Sequence, residues 1–505
     1  MGQTKTDYCG ITEKNGVSAH NEAYSSMART ENAVKFATRI NDVLALLIFT
    51  ISSLFLILWG IISHDFLSFA VTALVCGVSY LAVCSQILRL QTEKTKWGIL
   101  LAIAFSLKIF AVCVPPVFSE DVFRYVYEGK VVWEMGWQFP FTTAPADAAG
   151  TVSSTLLDAS FHKINHPEIA TIYPPLSMFC FALVGGISSA ARAVEIPWNA
   201  QTDLLLLKLT FLVIEVCGYL LIYLAKHSLG QNRWSALRWP LILALCPLSL
   251  FELNREGHAD GIAIFGLCLG AFGFIQSRYL LGHFGWVLAI LAKLNGAIGL
   301  LVSLRHSPKK SLWPLVILIA FAVPYFALTM AEGRGLNEYA TRWRSFDGVF
   351  GLILMAAESL LSGDYGRIGV FTITRHQFAR LITAFIFGVI LVYRLKSRRD
   401  STSVVEQTGE LMTLAILFSP TFHPWYVTWL IPFVPFALRI QWGVAWLILI
   451  APLCHFASYQ HSITGRWEEP LVIRLLIHFP AWLLLMLGFW CPRAVKRFTS
   501  YRFSR

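Results

Sequence analysis

The stretch from Asp42 to Ile62 reads DVLALLIFTISSLFLILWGII: one charge at its first position, then an unbroken apolar run. About 20 apolar residues carry a helix across the hydrocarbon core of a bilayer. The run is continuous, not alternating, so it reads as a spanning helix and not as a strand of a membrane barrel. Comparable runs fall near 67–88, 97–117, 203–225, 239–254, 259–276, 312–330, 376–394, 408–421, 425–438, 441–457 and 471–490. The fold expected is all-α and polytopic, with 12–15 membrane helices in one domain over residues 41–490, a polar tail at 1–40 and a basic tail at 491–505.

Composition points the same way. Of 505 residues, 56% are hydrophobic and only 14% charged, against roughly 25% charged in a soluble protein. The mean hydropathy is +0.59. A soluble enzyme, a disordered chain and a disulfide-stapled secreted domain are excluded. The net charge of +11 sits mostly in short loops and at the C-terminus, where basic residues set membrane orientation instead of binding nucleic acid. Ten cysteines without a CxxC pair read as small core residues. The first 40 residues lack the apolar core of a secretory signal, so the first span is expected to act as an uncleaved anchor.

Orientation follows from lysine and arginine asymmetry. The tail with Lys5, Lys14, Arg29, Lys35 and Arg39 is basic. So are the loop with Arg89, Lys94 and Lys96, the segment from Lys226 to Arg238, the loop Arg394 to Arg399, and the tail from Arg493 to Arg505. Placing all of them in the cytoplasm puts both termini inside. On that path 172–190 and 347–362 cannot cross fully and are expected to lie on or dip into the outer face. The stretch 280–303 is interrupted at Lys293-Leu294-Asn295-Gly296, which predicts two half-helices, tolerated only against a cavity or other protein. Five ionisable segments then share the outer face: the loop 118–171, Asn254 to Asp260, Lys293, the loop 331–347, and Phe422 to Tyr426.

Each segment has a plain reading beside a chemical one. Glu120 and Asp121 follow a span that ends in Pro115-Pro116; they suit a solvated helix start, or a general base. On a helix, Asp121, Arg124 and Tyr125 share a face. Glu252 to Asp260 packs Arg255, Glu256, His258 and Asp260 between two apolar runs, a costly arrangement unless they meet a polar cavity. Their spacing is not specific for a divalent metal, and no cofactor is indicated. Lys293 either snorkels to the interface or serves a site. Tyr173-Pro174-Pro175 starts a helix. His423 is the stronger functional choice in His423-Pro424-Trp425-Tyr426, since an aromatic belt needs no histidine. No phosphate-binding GxxxxGK[ST] loop, strand-linked GxGxxG or HExxH occurs, which argues against a nucleotide-driven pump.

Taken in order, Glu120-Asp121-Val122-Phe123-Arg124-Tyr125-Val126-Tyr127-Glu128-Gly129-Lys130, Ile172-Tyr173-Pro174-Pro175-Leu176, Glu256-Gly257-His258-Ala259-Asp260 and His423-Pro424-Trp425-Tyr426 resemble the GT-C superfamily of polytopic glycosyltransferases. The likeness is strongest to bacterial mannosyltransferase-like members that use a polyprenyl-phosphate sugar, and it covers most of residues 95–490. Trp137-Gln138-Phe139-Pro140-Phe141 departs from the Asn-Pro-Tyr type sequence of relatives, and two extra spans precede the acidic loop.

The resemblance implies transfer of a sugar, mannose by family weight, from a polyprenyl-phosphate donor to a glycolipid or glycan acceptor at the outer face of a bacterial plasma membrane (the endoplasmic reticulum in a eukaryote). It implies an inverting displacement with Asp121 as base and Glu120 as its neighbour or substitute. Arg124, Arg255, Lys293 and His423 are the cations expected to meet the leaving phosphate. Tyr125, Tyr173, Glu256, His258, Asp260 and Tyr426 are expected to bind substrate. The rivals are a lipid or sugar transporter or flippase, and a lipid-linked glycan polymerase or ligase. A transporter would set its polar residues near the mid-membrane with inverted halves, and no internal repeat is visible here.

Overall fold

On the helix Phe66–Arg89, one face carries Phe69, Ala73, Cys76, Tyr80, Val83 and Ile87, all buried. The opposite face carries Leu67, Val71, Val75 and Val78, exposed by 42% to 69%. A helix apolar all round, with one apolar face left open, is a helix whose solvent is lipid. The computed structural model describes residues 40–90, 93–331, 335–360, 365–368, 371–396 and 401–490. The expected N-terminal tail up to residue 39, the basic loop 397–400 and the tail 491–505 lie outside the described residues.

Among the described residues nine helices are long and apolar enough to cross a membrane, or ten if a pair bent by 64°, Arg233–Ala244 and Ser249–Arg255, counts as one span. The protein is a multi-pass, all-α membrane protein. Fewer full spans stand than the 12–15 expected, because several apolar runs fold into shorter pieces. Residues 259–276 become the 16-residue helix Asp260–Ile275. Residues 425–438 become a tight ten-residue 3₁₀ helix, Pro424–Phe433, whose internal Pro432 has no N–H to offer a regular ladder. Conversely Pro175–Ala193, expected to lie on the outer face, is long and apolar enough to cross. Val349–Leu360, with 12 residues, is not. A hairpin of Tyr365–Ile368 and Phe371–Thr374, pairing Tyr365 with Thr374, was not anticipated.

The predicted break near Lys293 is present. Tyr279–Lys293 ends with Leu294 in the left-handed region at φ 64°, and Ala297–Ser303 resumes after Gly296. The first half packs backbone to backbone against Asp260–Ile275. A Cβ on Gly285 would stand 2.2 Å from the amide nitrogen of Gly270. Small residues at such crossings let membrane helices approach closely where no hydrophobic effect drives them together.

Buried lysines inside the bundle find polar partners. Lys108 Nζ lies 2.9 Å from Glu215 Oε1 and also donates to Ser249 Oγ and Asn254 Oδ1, both at 2.8 Å. Lys208 donates to the carbonyls of Ala111 and Val114, satisfying the free end of the helix Lys94–Cys113. These contacts tie the helices Lys94–Cys113 and Ala200–Ser228 to each other and to Ser249–Arg255, next to the site-bearing segment.

Candidate active site

Asp121 opens the helix Asp121–Met135, where a carboxylate complements the positive helix end. What fixes that helix start is Glu256. Its carboxylate accepts from the backbone N–H groups of Val117 (3.1 Å), Phe118 (2.8 Å) and Ser119 (2.8 Å). Gly257, at φ +76°, lets the two segments meet, since a Cβ there would stand 2.9 Å from Val122 Cγ2. Glu256→Ala should therefore cost about 2–3 kcal/mol, the scale of charge-assisted hydrogen bonds left unmade. A thermal unfolding shift in detergent, against a wild-type control, checks it; an unchanged midpoint would remove the anchoring role.

A cavity of about 1060 Å³ opens over Asp121. Glu120, Asp121, Arg124, Tyr173, Lys293, His423 and Tyr426 line it. It draws on residues 117–124, 164–174, 293–294, 335–345 and 423–429, so four of the five segments expected to share a face reach it directly. The fifth stands behind its wall: His258 Nδ1 lies 3.6 Å from Asp121 Oδ2, and Asp260 Oδ2 lies 3.3 Å from Lys293 Nζ. Residues around Trp59 and His64, and around Tyr459, His461 and Trp467, complete the lining and were not anticipated.

Several expected contacts are redirected. Arg255 and Glu256 are fully buried and do not line the cavity. Arg255 donates to the carbonyl of Trp59 and lies 3.5 Å from Glu256. Both hold backbone, not substrate, because a charge buried here needs its partners at once. Tyr125 also lies outside the lining. Its ring is stacked on Phe181 at 4.5 Å and meets Tyr173 edge-on, and its hydroxyl reaches Asp121 Oδ2 at 3.5 Å. Arg124 lines the cavity, but its guanidinium is taken up by the carbonyls of Asn165 and His166 (both 2.6 Å) and Ile169 (3.1 Å). It organises the loop instead of facing an anion. His423 lines the cavity, where burial, with His258, Lys293 and His455 nearby, outweighs the pull of Asp121 and drives its pKa down to about 3, which disfavours the cationic form expected of it.

The carboxylates differ in character. Burial pushes the Asp121 carboxyl up. Its contact with His258, the charge of Lys293 and a 2.9 Å hydrogen bond from Asn165 Nδ2 more than reverse that and hold it below the usual range. Glu120 is exposed, and its carboxyl is raised by partial burial and by the neighbouring Asp121. Glu128, deeper on the same helix, rises to about 7 through burial, against the opposing pull of Arg124 and Thr171.

Around Lys293 the wall is aromatic. Its ammonium sits 5.1 Å from the Tyr173 ring centroid. Asp260 accepts from Trp429 Nε1 at 2.7 Å, Trp429 stacks on Tyr426 at 4.3 Å, and Tyr426 shares a hydroxyl hydrogen bond with Tyr339. Trp425 lies between two imidazoles, 3.9 Å from His258 and 4.4 Å from His423. Arg342 and Arg344 also face the cavity, Arg344 held at 2.6 Å by Asp347. Glu256, His258 and Asp260 diverge to separate partners. Among the described residues no group of three or more His, Cys, Asp or Glu is arranged to hold a metal ion.

Sequence reasoning missed Asn165 and His455, and read Glu252 only as the start of a charged segment. Nothing in the local pattern marks Asn165. A histidine inside the apolar run 441–457 was a usable signal, since an ionisable residue in a membrane segment needs a reason. His455 Nε2 lies 2.8 Å from Glu252 Oε1.

Comparison with known proteins bears on this arrangement. Residues 49–305, just over half of the chain, match the family described as "Alpha-(1->6)-mannopyranosyltransferase, N-terminal domain". That region contains Asp121, His258 and Lys293. Over 334 residues the chain is 25% identical to "Alpha-(1->6)-mannopyranosyltransferase A" of Mycobacterium tuberculosis, an alignment that covers 62% of this chain and 60% of that relative. No solved structure matches. On the extent of the family match, and in line with the motif resemblance, the chain belongs to the alpha-(1->6)-mannopyranosyltransferase family.

Proposed function

We propose that this protein transfers mannose from a polyprenyl-phosphate donor to a hydroxyl of a glycan or glycolipid acceptor, with Asp121 as base. The observation that carries the reading is a one-fifth exposed carboxylate in a cavity large enough for sugars and lined as well by a lysine. A lipid-borne donor accounts for an enzyme that is nearly all membrane and has no nucleotide loop. We take the cavity to open on the extracytoplasmic face; the support is the basic character of the opposite loops.

The acceptor oxygen bonds to the anomeric carbon as the bond from that carbon to the phosphate oxygen breaks. The hydroxyl proton passes to Asp121, and the polyprenyl phosphate leaves as an anion. Asn165 orients the carboxylate through Oδ1. Lys293, Arg342 and Arg344 are the cations within the lining that meet the leaving charge. A carboxylate held below its usual range is a weak base for a free alcohol. It is adequate once the attacking oxygen is bonding to carbon and its proton has become acidic.

One displacement inverts the anomeric centre. If the product is an alpha-linkage, as the family description has it, the donor must be the beta-mannosyl phosphate. Purified protein in proteoliposomes, given radiolabelled polyprenyl-phosphate mannose and membrane extract, should label a glycan or glycolipid with the beta donor and yield no product with the alpha donor. Product from the alpha donor alone would replace the single displacement by a double one. Movement of donor across the bilayer without a new glycosidic bond would favour a flippase.

A further inference from the structure

His258 is 0% exposed, yet neither ring nitrogen has a hydrogen-bond partner. Each is instead aimed at a carboxylate: Nδ1 lies 3.6 Å from Asp121 Oδ2, and Nε2 lies 3.6 Å from Glu252 Oε2. That Glu252 oxygen is likewise buried and unpartnered by a hydrogen bond, while its other oxygen is held by His455. Asp121, His258, Glu252 and His455 thus form a chain that runs inward from the cavity floor. Trp425 stacked on the imidazole face leaves the ring no room to turn away. No lining position belongs to His258, Glu252 or His455, so all three stand behind the cavity wall.

The chain solves a problem that the proposed reaction creates. A donor phosphate entering the cavity brings negative charge toward Asp121, and a nearby like charge favours the protonated carboxyl. A protonated Asp121 is no base. We propose that His258, braced by Glu252 and His455, is the positioning residue that keeps Asp121 ionised while an anionic donor is bound. This rests on the mannosyl-phosphate reading above. The charged neighbours support it. His258 is faced by Asp121 from the helix Asp121–Met135, by Glu252 from the short helix Ser249–Arg255 and by Asp260 from the helix Asp260–Ile275. His423 and Lys293 sit on the cavity side of Asp121. Burial works against a charged imidazole, but Asp121 first, then Glu252 and Asp260, hold His258 above its ordinary value.

The test is the pH profile of kcat, which reports groups of the donor-bound enzyme. It is measured with polyprenyl-phosphate mannose for wild type, His258→Gln and Glu252→Gln. Asp121 loses its supporting charge in His258→Gln. The acid limb should then move up by about one pH unit or more, leaving most activity at neutral pH and little near the ordinary carboxylate range. In Glu252→Gln the imidazole loses a carboxylate that holds its proton, so Asp121 is less firmly supported and the acid limb should move up as well, by less than in His258→Gln. Glu252→Gln swaps near-isosteric side chains outside the cavity, and its acid limb decides the matter should His258→Gln not fold. Upward shifts of the acid limb, larger in His258→Gln, support the proposal. Uniform loss at every pH, or profiles that superimpose on wild type, overturn it while leaving the transferase reading in place. A wild-type protein that forms no glycosidic bond overturns both.

Discussion

Asp121→Asn should lower kcat by about 10²–10⁴, the range that general-base catalysis supplies, while the protein still extracts as a folded species. The amide keeps the shape of the carboxylate and can remain near Asn165 and Tyr125, so packing around the helix start survives. What it loses is the ability to accept the acceptor's proton. Glu120→Gln sharpens the assignment. Glu120 is exposed and not bound to the Asn165 and His258 pair, so its variant should lose less than tenfold. Single-turnover transfer of labelled mannose in proteoliposomes measures both. Near-normal turnover by Asp121→Asn, or a Glu120→Gln loss as deep as that of Asp121→Asn, would remove Asp121 from the role of base.

The largest expected loss of stability lies at a pair outside the cavity lining. Lys108→Met should cost about 3–5 kcal/mol, because removing one partner leaves a buried charge uncompensated. Glu215 would keep its bonds to Tyr219, Ser249 and Asn254 but lose its only cation among these contacts. The Lys108→Met, Glu215→Leu double variant should recover part of that loss, since replacing both members of a buried pair by apolar groups is far less costly than orphaning one. Equilibrium unfolding in mixed micelles gives the three values needed for the cycle. Additive losses would mean that the pair is not the unit of stability. The cluster matters to the site as well: Asn254, which bridges Lys108 and Glu215, directly precedes Arg255 and Glu256, which carry the segment leading to Asp121.

Much of this could be read from the chain. The apolar runs announced a helical membrane protein because hydrocarbon leaves backbone groups no partner except one another. The interruption at Lys293 to Gly296 announced a broken helix, and the structure has one, with Leu294 in the left-handed region. Among the described residues nine or ten helices are long and apolar enough to cross, against the 12–15 expected. Hydropathy registers an apolar run whether it crosses lipid or folds inside protein, and Asp260–Ile275 is buried along nearly its whole length.

The division of labour among the ionisable residues was not legible. Arg124, Arg255 and Glu256 stand in the same charged segments as Asp121 and His258, yet they hold carbonyls and amides. Asn165 reaches Asp121 from 44 positions away, and His455 reaches Glu252 from 203 positions away. Local pattern therefore settles which segments are apolar and which are charged, since that depends on each residue's own transfer free energy between water and lipid. Whether a given charge faces substrate, backbone or another charge depends on its nearest partner in a low dielectric. That partner is chosen by packing between segments distant in the chain, which only the folded arrangement specifies.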